Sequence, residues 1–306
     1  MPGSDRREQS LALAAALVTV TLWASAFVGI RSAGRDLSPG ALTLCRLLVG
    51  SLALGALVLA RREPLPARRT LPAIVLCGLL WFGAYNVLLN AAERRVDAGT
   101  AAMLVNVGPV FIAVLAGLVL REGFPRSLLA GCAIAFAGAV VIGLATSEQG
   151  VRAGWGAVLC LAAALAYAGG VVAQKTVLSR ASPLQVTWLA CTVATIACLP
   201  FAPALVREAG SADASSIAWA LYLGALPTAV AFTTWAYALA RTSAGRMGAT
   251  TYLVPPLAIG MAWLFLGESP PGLAFAGGAL CLTGVVVARR GLPSLRRRAR
   301  AAAPAA

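Results

Sequence analysis

The sequence predicts an all-α integral membrane protein with ten transmembrane helices, arranged as two inverted repeats of five helices. Three observations predict this fold class: an excess of apolar residues, ten long apolar runs, and a spacing of prolines, glycines and acids that recurs in both halves of the chain. Of the 306 residues, 59% are hydrophobic and 12% are charged, whereas a soluble domain carries roughly 25% charged residues. One core of this size cannot hide so many apolar side chains, so lipid is the expected solvent.

Ten runs of the chain have the roughly 20 mainly apolar residues that a transmembrane helix needs. The seventh run is the least regular, because Pro200 and Pro203 fall near one of its ends. Pro109 lies inside the fourth run, and Pro255 and Pro256 lie inside the ninth, so both helices are expected to be kinked. The predicted spans are 11–30, 40–60, 71–91, 98–120, 127–145, 154–174, 184–205, 216–240, 247–266 and 272–288.

The first run also resembles a secretory signal peptide. Arg6 and Arg7 precede it, and the stretch 24–26 reads Ala-Ser-Ala, which is similar to a cleavage site. However, the apolar run continues to Ile30, and the segment has a counterpart in the second half of the chain. These two facts favour a retained helix.

The basic residues predict the orientation of the chain. Of the 25 arginines and lysines, eighteen fall in the termini and alternate loops on one side, six fall in the other loops, and Arg46 lies within a span. Cytoplasmic loops carry the excess of basic residues, so both termini are expected in the cytoplasm. Arginine outnumbers lysine 24 to 1 and alanine is abundant. This composition indicates a GC-rich bacterial genome, and hence a multi-pass protein of the bacterial cytoplasmic (inner) membrane.

The two halves of the chain match each other. Five residues of the first half recur 146 positions later, and near the start of each half the offset is 144. Because each half holds five spans, the second half must enter the membrane upside down, an arrangement typical of secondary transporters. Gene duplication also builds stable bundles that transport nothing, and this alternative stays open. The matches are Pro109/Pro255, Glu122/Glu268, Pro125/Pro271, Gly131/Gly277 and Gly138/Gly284 at 146, and Trp23/Tyr167, Arg31/Lys175, Ser38/Ser182 and Thr43/Thr187 at 144.

In these features the chain resembles the EamA family of the drug/metabolite transporter superfamily, from about residue 11 to 289. The resemblance implies two EamA repeats around a central substrate cavity. The expected divisions are a cytoplasmic N-terminal tail (1–10), a first repeat (11–145), a second repeat (154–289) and a basic cytoplasmic tail (290–306). The resemblance rests on the stretch 22–27 (LWASAF), on Arg46, Pro109, Glu122, Gly131 and Gly138, and on their recurrence in the second half.

Polar and aromatic residues inside the spans are the candidates for a substrate pathway. A charge within lipid is costly and usually functional. Arg46 is therefore expected either to face the cavity and attract a carboxylate, or to snorkel outward or bind carbonyl groups that hold helices together. Asn106 and Tyr252 each lie three residues before a proline that breaks a helix, and such breaks tend to line cavities. The candidates are Trp23, Ser25, Arg46, Tyr85, Asn86, Asn106, Tyr167, Gln174, Trp188, Trp235 and Tyr252.

Other residues are assigned to the membrane boundary. Glu122 and Glu268 end their spans beside loops, where an acid costs little, and they are expected to be structural or gating acids. Trp81, Trp155 and Trp219 are expected to belong to the aromatic belt at the lipid–water interface.

The inverted repeat therefore predicts a secondary transporter that works by alternating access, and the resemblance to the EamA family implies that it exports a small metabolite, amino acid or drug. It has no histidine, no C-x-x-C pair, and no nucleotide-binding or nucleophile-elbow motif. No catalytic residue, metal site or cofactor is expected, and the expected partners are a small-molecule solute and the bilayer. The clustered arginines suit membrane orientation better than nucleic-acid binding. A non-transporting scaffold or receptor, and a membrane-embedded lipid-modifying enzyme, remain alternatives, and the residues leave the solute, the coupling ion and the oligomeric state open.

Overall fold

The structure, a computed structural model, describes residues 2–92, 94–95, 104–146, 155–266 and 272–290. Within these ranges every regular element is a helix and no strand occurs, in agreement with the predicted all-α class. A helix overlaps each of the ten predicted runs. The helices are α1 (Pro2–Ala33), α2 (Pro39–Ala60), α3 (Arg68–Ala92), α4 (Gly108–Val119), α5 (Arg126–Thr146), α6 (Trp155–Val177), α7 (Pro183–Ala197), α8 (Ala202–Ala209), α9 (Ala214–Ala240), α10 (Ala244–Thr250), α11 (Val254–Leu266) and α12 (Gly272–Arg290).

Five of these helices, α1, α2, α3, α6 and α9, are long and apolar enough to cross a bilayer. The pair formed by α7 and the segment Leu199–Ala209 would make a sixth crossing if it is one span. Three more apolar segments are shorter: Gly108–Val119, Arg126–Val141 and Phe275–Ala288. The described part of the chain therefore has the helices of a multi-pass membrane protein.

Two helices differ from the predicted runs. Helix α1 begins at Pro2, so residues 2–10, predicted as a tail, continue the first helix. This region contains Arg, Glu and Gln residues, which favour helix strongly. The seventh run is bent by 51° between Pro183–Ala197 and Leu199–Ala209. Pro200 explains the bend, because it lacks a backbone N–H and disfavours the helical conformation of the residue before it.

Two helices contain a π-helical segment, and the two segments start 146 residues apart. The first is Gly78–Ala84 in α3 and the second is Gly224–Val230 in α9. A Cβ on Gly78 would lie 2.5 Å from the carbonyl oxygen of Ala190, and one on Gly224 would lie 2.8 Å from the carbonyl oxygen of Arg46. Glycine at each position thus lets α3 pack against α7, and α9 against α2, at backbone distance.

Helices α2 and α7 lie side by side in opposite directions. After the end of α2, the Glu63 carboxylate accepts a hydrogen bond from the hydroxyl of Ser182, the residue that caps the start of α7. Next to it, the Gln185 amide donates to the Pro64 carbonyl. At the opposite end, the Glu208 carboxylate accepts the N–H of Ser38, which precedes α2, at 2.7 Å. Each half of the chain therefore holds the start of a helix of the other half.

Helices α5 and α12 form the closest helix pair, and small residues allow it. A Cβ on Gly284 would lie 2.4 Å from the nitrogen of Ala135 and 2.5 Å from the carbonyl oxygen of Gly131. The Cys281 thiol donates to the Ala135 carbonyl at 3.4 Å, and the Cys191 thiol donates to the Leu47 carbonyl at 3.4 Å. Cys281 stands 146 positions after Ala135, and Cys191 stands 144 after Leu47. Each cysteine thus contacts its own counterpart in the other half.

We expect the substitution Gly284→Ala to destabilise the protein by about 1–3 kcal/mol, because its methyl group would overlap the backbone of α5, which cannot move aside. Gly278→Ala is the matched control. It lies on the same helix and gains the same helix propensity, but its Cβ would meet only the Pro256 side chain, at 3.4 Å. Thermal unfolding of both variants in detergent measures the difference. Equal melting temperatures would contradict the backbone contact between α5 and α12.

Candidate functional site

A cavity opens between the helices of both halves of the chain. Its volume is about 100 Å³, smaller than the roughly 300 Å³ at which typical small-molecule sites begin. Among the described residues that line it, Arg46 is the only charged side chain, and most of the remaining wall is apolar or aromatic. The lining residues are Trp23, Ala26, Phe27, Ile30, Arg46, Trp81, Tyr85, Asn86, Leu89, Val105, Asn106, Pro109, Tyr167, Phe232, Thr251 and Val254.

A cluster of aromatic rings forms one wall of the cavity. The Trp23 ring lies 5.9 Å from that of Trp81 and 5.3 Å from that of Phe232, and Trp81 and Tyr167 are 5.2 Å apart. Trp235 packs behind this wall, 5.0 Å from Trp23, without lining the cavity. Most of these pairs are edge-on or tilted, as aromatic quadrupoles prefer. The wall is therefore a rigid apolar surface suited to an apolar or aromatic group.

The π segments position the side chains of this wall. The segment in α3 carries Trp81, and the Asn86 side-chain amide donates to the carbonyls of Phe82 at 2.8 Å and Trp81 at 3.4 Å. The segment in α9 carries Pro227, whose carbonyl accepts the indole N–H of Trp23 at 3.3 Å. Single π turns often occur at functional sites, and here each one orients a tryptophan at the cavity.

Arg46 is held in the wall by the second π segment. Its side chain is 5% exposed, and its Nε donates to the Thr228 hydroxyl at 3.2 Å. Thr228 in turn donates to the Leu223 carbonyl at 2.8 Å. Arg46 thus lines the cavity and also connects α2 to α9.

Six of the predicted pathway residues line the cavity: Trp23, Arg46, Tyr85, Asn86, Asn106 and Tyr167. The other five do not. The Ser25 hydroxyl pairs with that of Tyr222 at 2.6 Å, and Trp188 packs against Gly55. Gln174, Trp235 and Tyr252 are fully buried.

The predicted prolines and acids lie at helix ends. Pro109 stands in the first turn of α4 and lines the cavity. Pro255 and Pro256 stand in the first turn of α11, directly after a 3₁₀ turn at Thr251–Leu253. The Glu122 carboxylate accepts the N–H groups of Ala244 at 2.9 Å and Gly245 at 3.3 Å, at the start of α10. Glu268 lies outside the described residues.

The prediction for Trp81 was wrong, because its ring is 1% exposed and lies at the centre of the aromatic wall. The position of Trp81 in the sequence already argued against the aromatic belt. Trp81 is at the middle of the predicted run 71–91, whereas belt residues lie near the ends of their spans. Trp155, by contrast, is 68% exposed.

Phe232 and Thr251 line the cavity and were missed, although the repeat could have found them. Phe232 stands 146 positions after Asn86, and Thr251 stands 146 after Val105. Both first-half residues also line the cavity, as does the pair Trp23/Tyr167 at offset 144. Corresponding positions of the two halves therefore face the same space.

Residues 10–144 and 154–290 each match the EamA-like transporter family. A Streptantibioticus cattleyicolor protein named "Probable terminal-alkyne amino-acid exporter" is 40% identical over 95% of this chain and 97% of its own length. An uncharacterised transporter of Bacillus subtilis is 33% identical over 87% of each chain. A "Probable amino-acid metabolite efflux pump" of Escherichia coli is 28% identical over 89% of this chain and 92% of its own.

A solved crystal structure has the same fold. Its TM-score is 0.74, and the superposition covers 95% of this chain and 99% of that one. The two sequences are 20% identical, so the likeness is one of fold alone.

We expect Thr228→Val to destabilise the protein by about 1 kcal/mol, the size of a hydrogen bond between membrane helices. The valine keeps the shape of the side chain but removes the oxygen that accepts from Arg46 Nε. Thr233→Val on the same helix is the control, because the Thr233 hydroxyl donates only to the Ala229 carbonyl one turn earlier. Thermal unfolding in detergent compares the two variants. A Thr228 variant as stable as the control would contradict a stabilising hydrogen bond between Arg46 and Thr228.

Proposed function

The chain belongs to the EamA-like transporter family, and from this premise we propose that it exports an amino acid or a small amino-acid-derived metabolite through the cavity. A transport function is the one that the sequence predicts. The relatives that are named as exporters or efflux pumps favour it over a scaffold or a lipid-modifying enzyme. The observation that carries the proposal is one buried arginine in a cavity built by both halves, whose other described lining residues are mostly apolar or aromatic.

The proposed architecture has ten spans in two inverted repeats, 11–145 and 154–289, with cytoplasmic tails at 1–10 and 290–306 in a bacterial cytoplasmic membrane. Three features support it. The π segments recur at the repeat offset, α2 and α7 run in opposite directions, and two cysteines each contact their own counterparts. Residues that contact their own equivalents lie on a two-fold axis, and two inverted halves can exchange inward-open and outward-open states around a shared site.

The cavity suits a solute with one carboxylate and an apolar body. Arg46 supplies a guanidinium group, which binds carboxylates well, and the Trp23–Trp81–Phe232 wall supplies an apolar surface opposite a solute side chain. The site is asymmetric. The position equivalent to Arg46 is Ala190, where the backbone of Gly78 packs closely, so one carboxylate is accommodated and not two.

Counterflow in proteoliposomes tests the proposed function. Vesicles that contain the purified protein and an unlabelled amino acid with an apolar side chain should accumulate the labelled form from outside. The corresponding amine, which lacks the carboxylate, should not exchange. A protein that exchanges no amino acid from a panel, or that prefers the amine, would overturn the proposal.

We expect Arg46→Ala to reduce exchange of the carboxylate solute about 10- to 100-fold, the size of one lost charge-assisted hydrogen bond. Arg46→Lys keeps the charge but not the planar fork, so it should retain part of the activity. Arg180→Ala is the control, since Arg180 lies on an exposed turn outside the cavity. Full exchange by folded Arg46→Ala protein would remove Arg46 from the transport mechanism.

The topology makes a separate prediction. Tags placed at residues 1 and 306 should both react only with a reagent that reaches the cytoplasmic side of the membrane, because the basic residues concentrate on that side. A single cysteine introduced at position 152 should react from outside. Tags that react from opposite sides of the membrane would contradict the ten-span arrangement.

A further inference from the structure

Several buried polar groups behind the aromatic wall have no hydrogen-bond partner. Among the described residues, three such side-chain atoms belong to Gln174 and Trp235. They are the Trp235 indole N–H and both the nitrogen and the oxygen of the Gln174 amide. Buried polar groups in proteins are nearly always paired, and leaving one unpaired is costly. Three unpaired atoms beside the cavity wall therefore require an explanation.

With Tyr167, these groups form a row that leads away from the cavity. Tyr167 lines the cavity, and Gln174 follows it by seven residues on the same face of α6, roughly 10 Å further along the helix. The Trp235 ring lies 6.4 Å from that of Tyr167. The row thus starts at the cavity wall and continues along α6, with Trp235 of α9 beside Tyr167.

The far end of the row reaches the loop between α9 and α10. Next to Gln174, the Lys175 ammonium donates to the carbonyls of Leu239 and Thr242, each at 2.6 Å. Glu122 accepts the N–H groups that follow this loop, at Ala244 and Gly245. Lys175 and Glu122 therefore hold this loop from both sides. Both lie on the face that the basic residues assign to the cytoplasm.

We propose that Tyr167, Trp235 and Gln174 line the closed part of the solute path, between the cavity and the membrane face that holds Lys175. This inference rests on the proposed transport function. When α6 and α9 separate at that face, the Trp235 indole N–H and the Gln174 amide gain water or the solute carboxylate as partners. Both groups can donate a hydrogen bond, which suits an anionic group that has left Arg46.

The proposal predicts an unusual pair of effects for Gln174→Met. Methionine has a similar length but no polar atom to bury, so it should stabilise the closed conformation. The melting temperature in detergent should rise by a few degrees, while solute exchange should slow at least tenfold. Gln185→Met is the matched control, because the Gln185 amide is fully paired with Ser182 and Pro64, and its loss should lower the melting temperature.

Cysteine labelling tests the path without reference to any solute. A water-soluble methanethiosulfonate reagent should modify Gln174→Cys in the intact protein at least ten times faster than Ala168→Cys. Both positions are 0% exposed in this conformation, and Ala168 lies on another face of α6. The wild-type protein, in which six of the seven cysteines are buried, supplies the background rate.

The outcomes separate the two proposals. Labelling of Gln174→Cys no faster than that of Ala168→Cys, or unchanged exchange by Gln174→Met, would overturn the closed path while wild-type exchange still supports the transport function. A wild-type protein that exchanges no solute would overturn the transport function, and the labelling would still decide whether this row opens to water.

Discussion

The structure depends on one constraint: a backbone in lipid has no water to bond, so irregular backbone is tolerated only where it faces protein or a cavity. Several irregular segments in the described part of the chain meet that condition. The π segment of α3 carries Trp81, the turn before α4 carries Asn106, and the 3₁₀ turn Thr251–Leu253 carries Thr251, all of which line the cavity. The π segment of α9 accepts hydrogen bonds from Arg46 and Trp23, which also line the cavity. The cavity is thus located where the helices depart from regularity.

Side-chain size determines how the remaining bundle packs around that cavity. At the α5–α12 contact, Gly131 and Gly284 bring two backbones together and leave no space for a solute. At the cavity, large rings such as Trp23 and Tyr85 keep helices apart and border an opening. A solute path and a close helix contact such as that between α5 and α12 are therefore built from the same kind of apolar helix. Only the volumes of the facing side chains distinguish them.

The two halves share a framework but differ in chemistry. Asn86 and Phe232 occupy corresponding positions at the cavity, and so do Val105 and Thr251. Arg46 corresponds to Ala190, which is covered by Gly78. In each half a glutamate holds the start of a helix of the other half, whereas substitution within the repeat gives the cavity one charged wall and one aromatic wall. A solute with two unlike ends suits such a cavity.

The sequence by itself determined the apolar runs, the offset between the halves, and the rarity of Arg46, because lipid requires long apolar segments and makes a buried charge conspicuous. It also identified six residues that line the cavity. Only the tertiary structure placed Trp81 in the wall and buried Trp235, Gln174 and Tyr252 away from the cavity. The reason is physical: in a soluble helix the polar face marks the outside, but a helix in lipid is apolar on every side. Its sequence therefore does not distinguish the face toward lipid from the face toward the core, and packing alone decides which side chains reach the cavity.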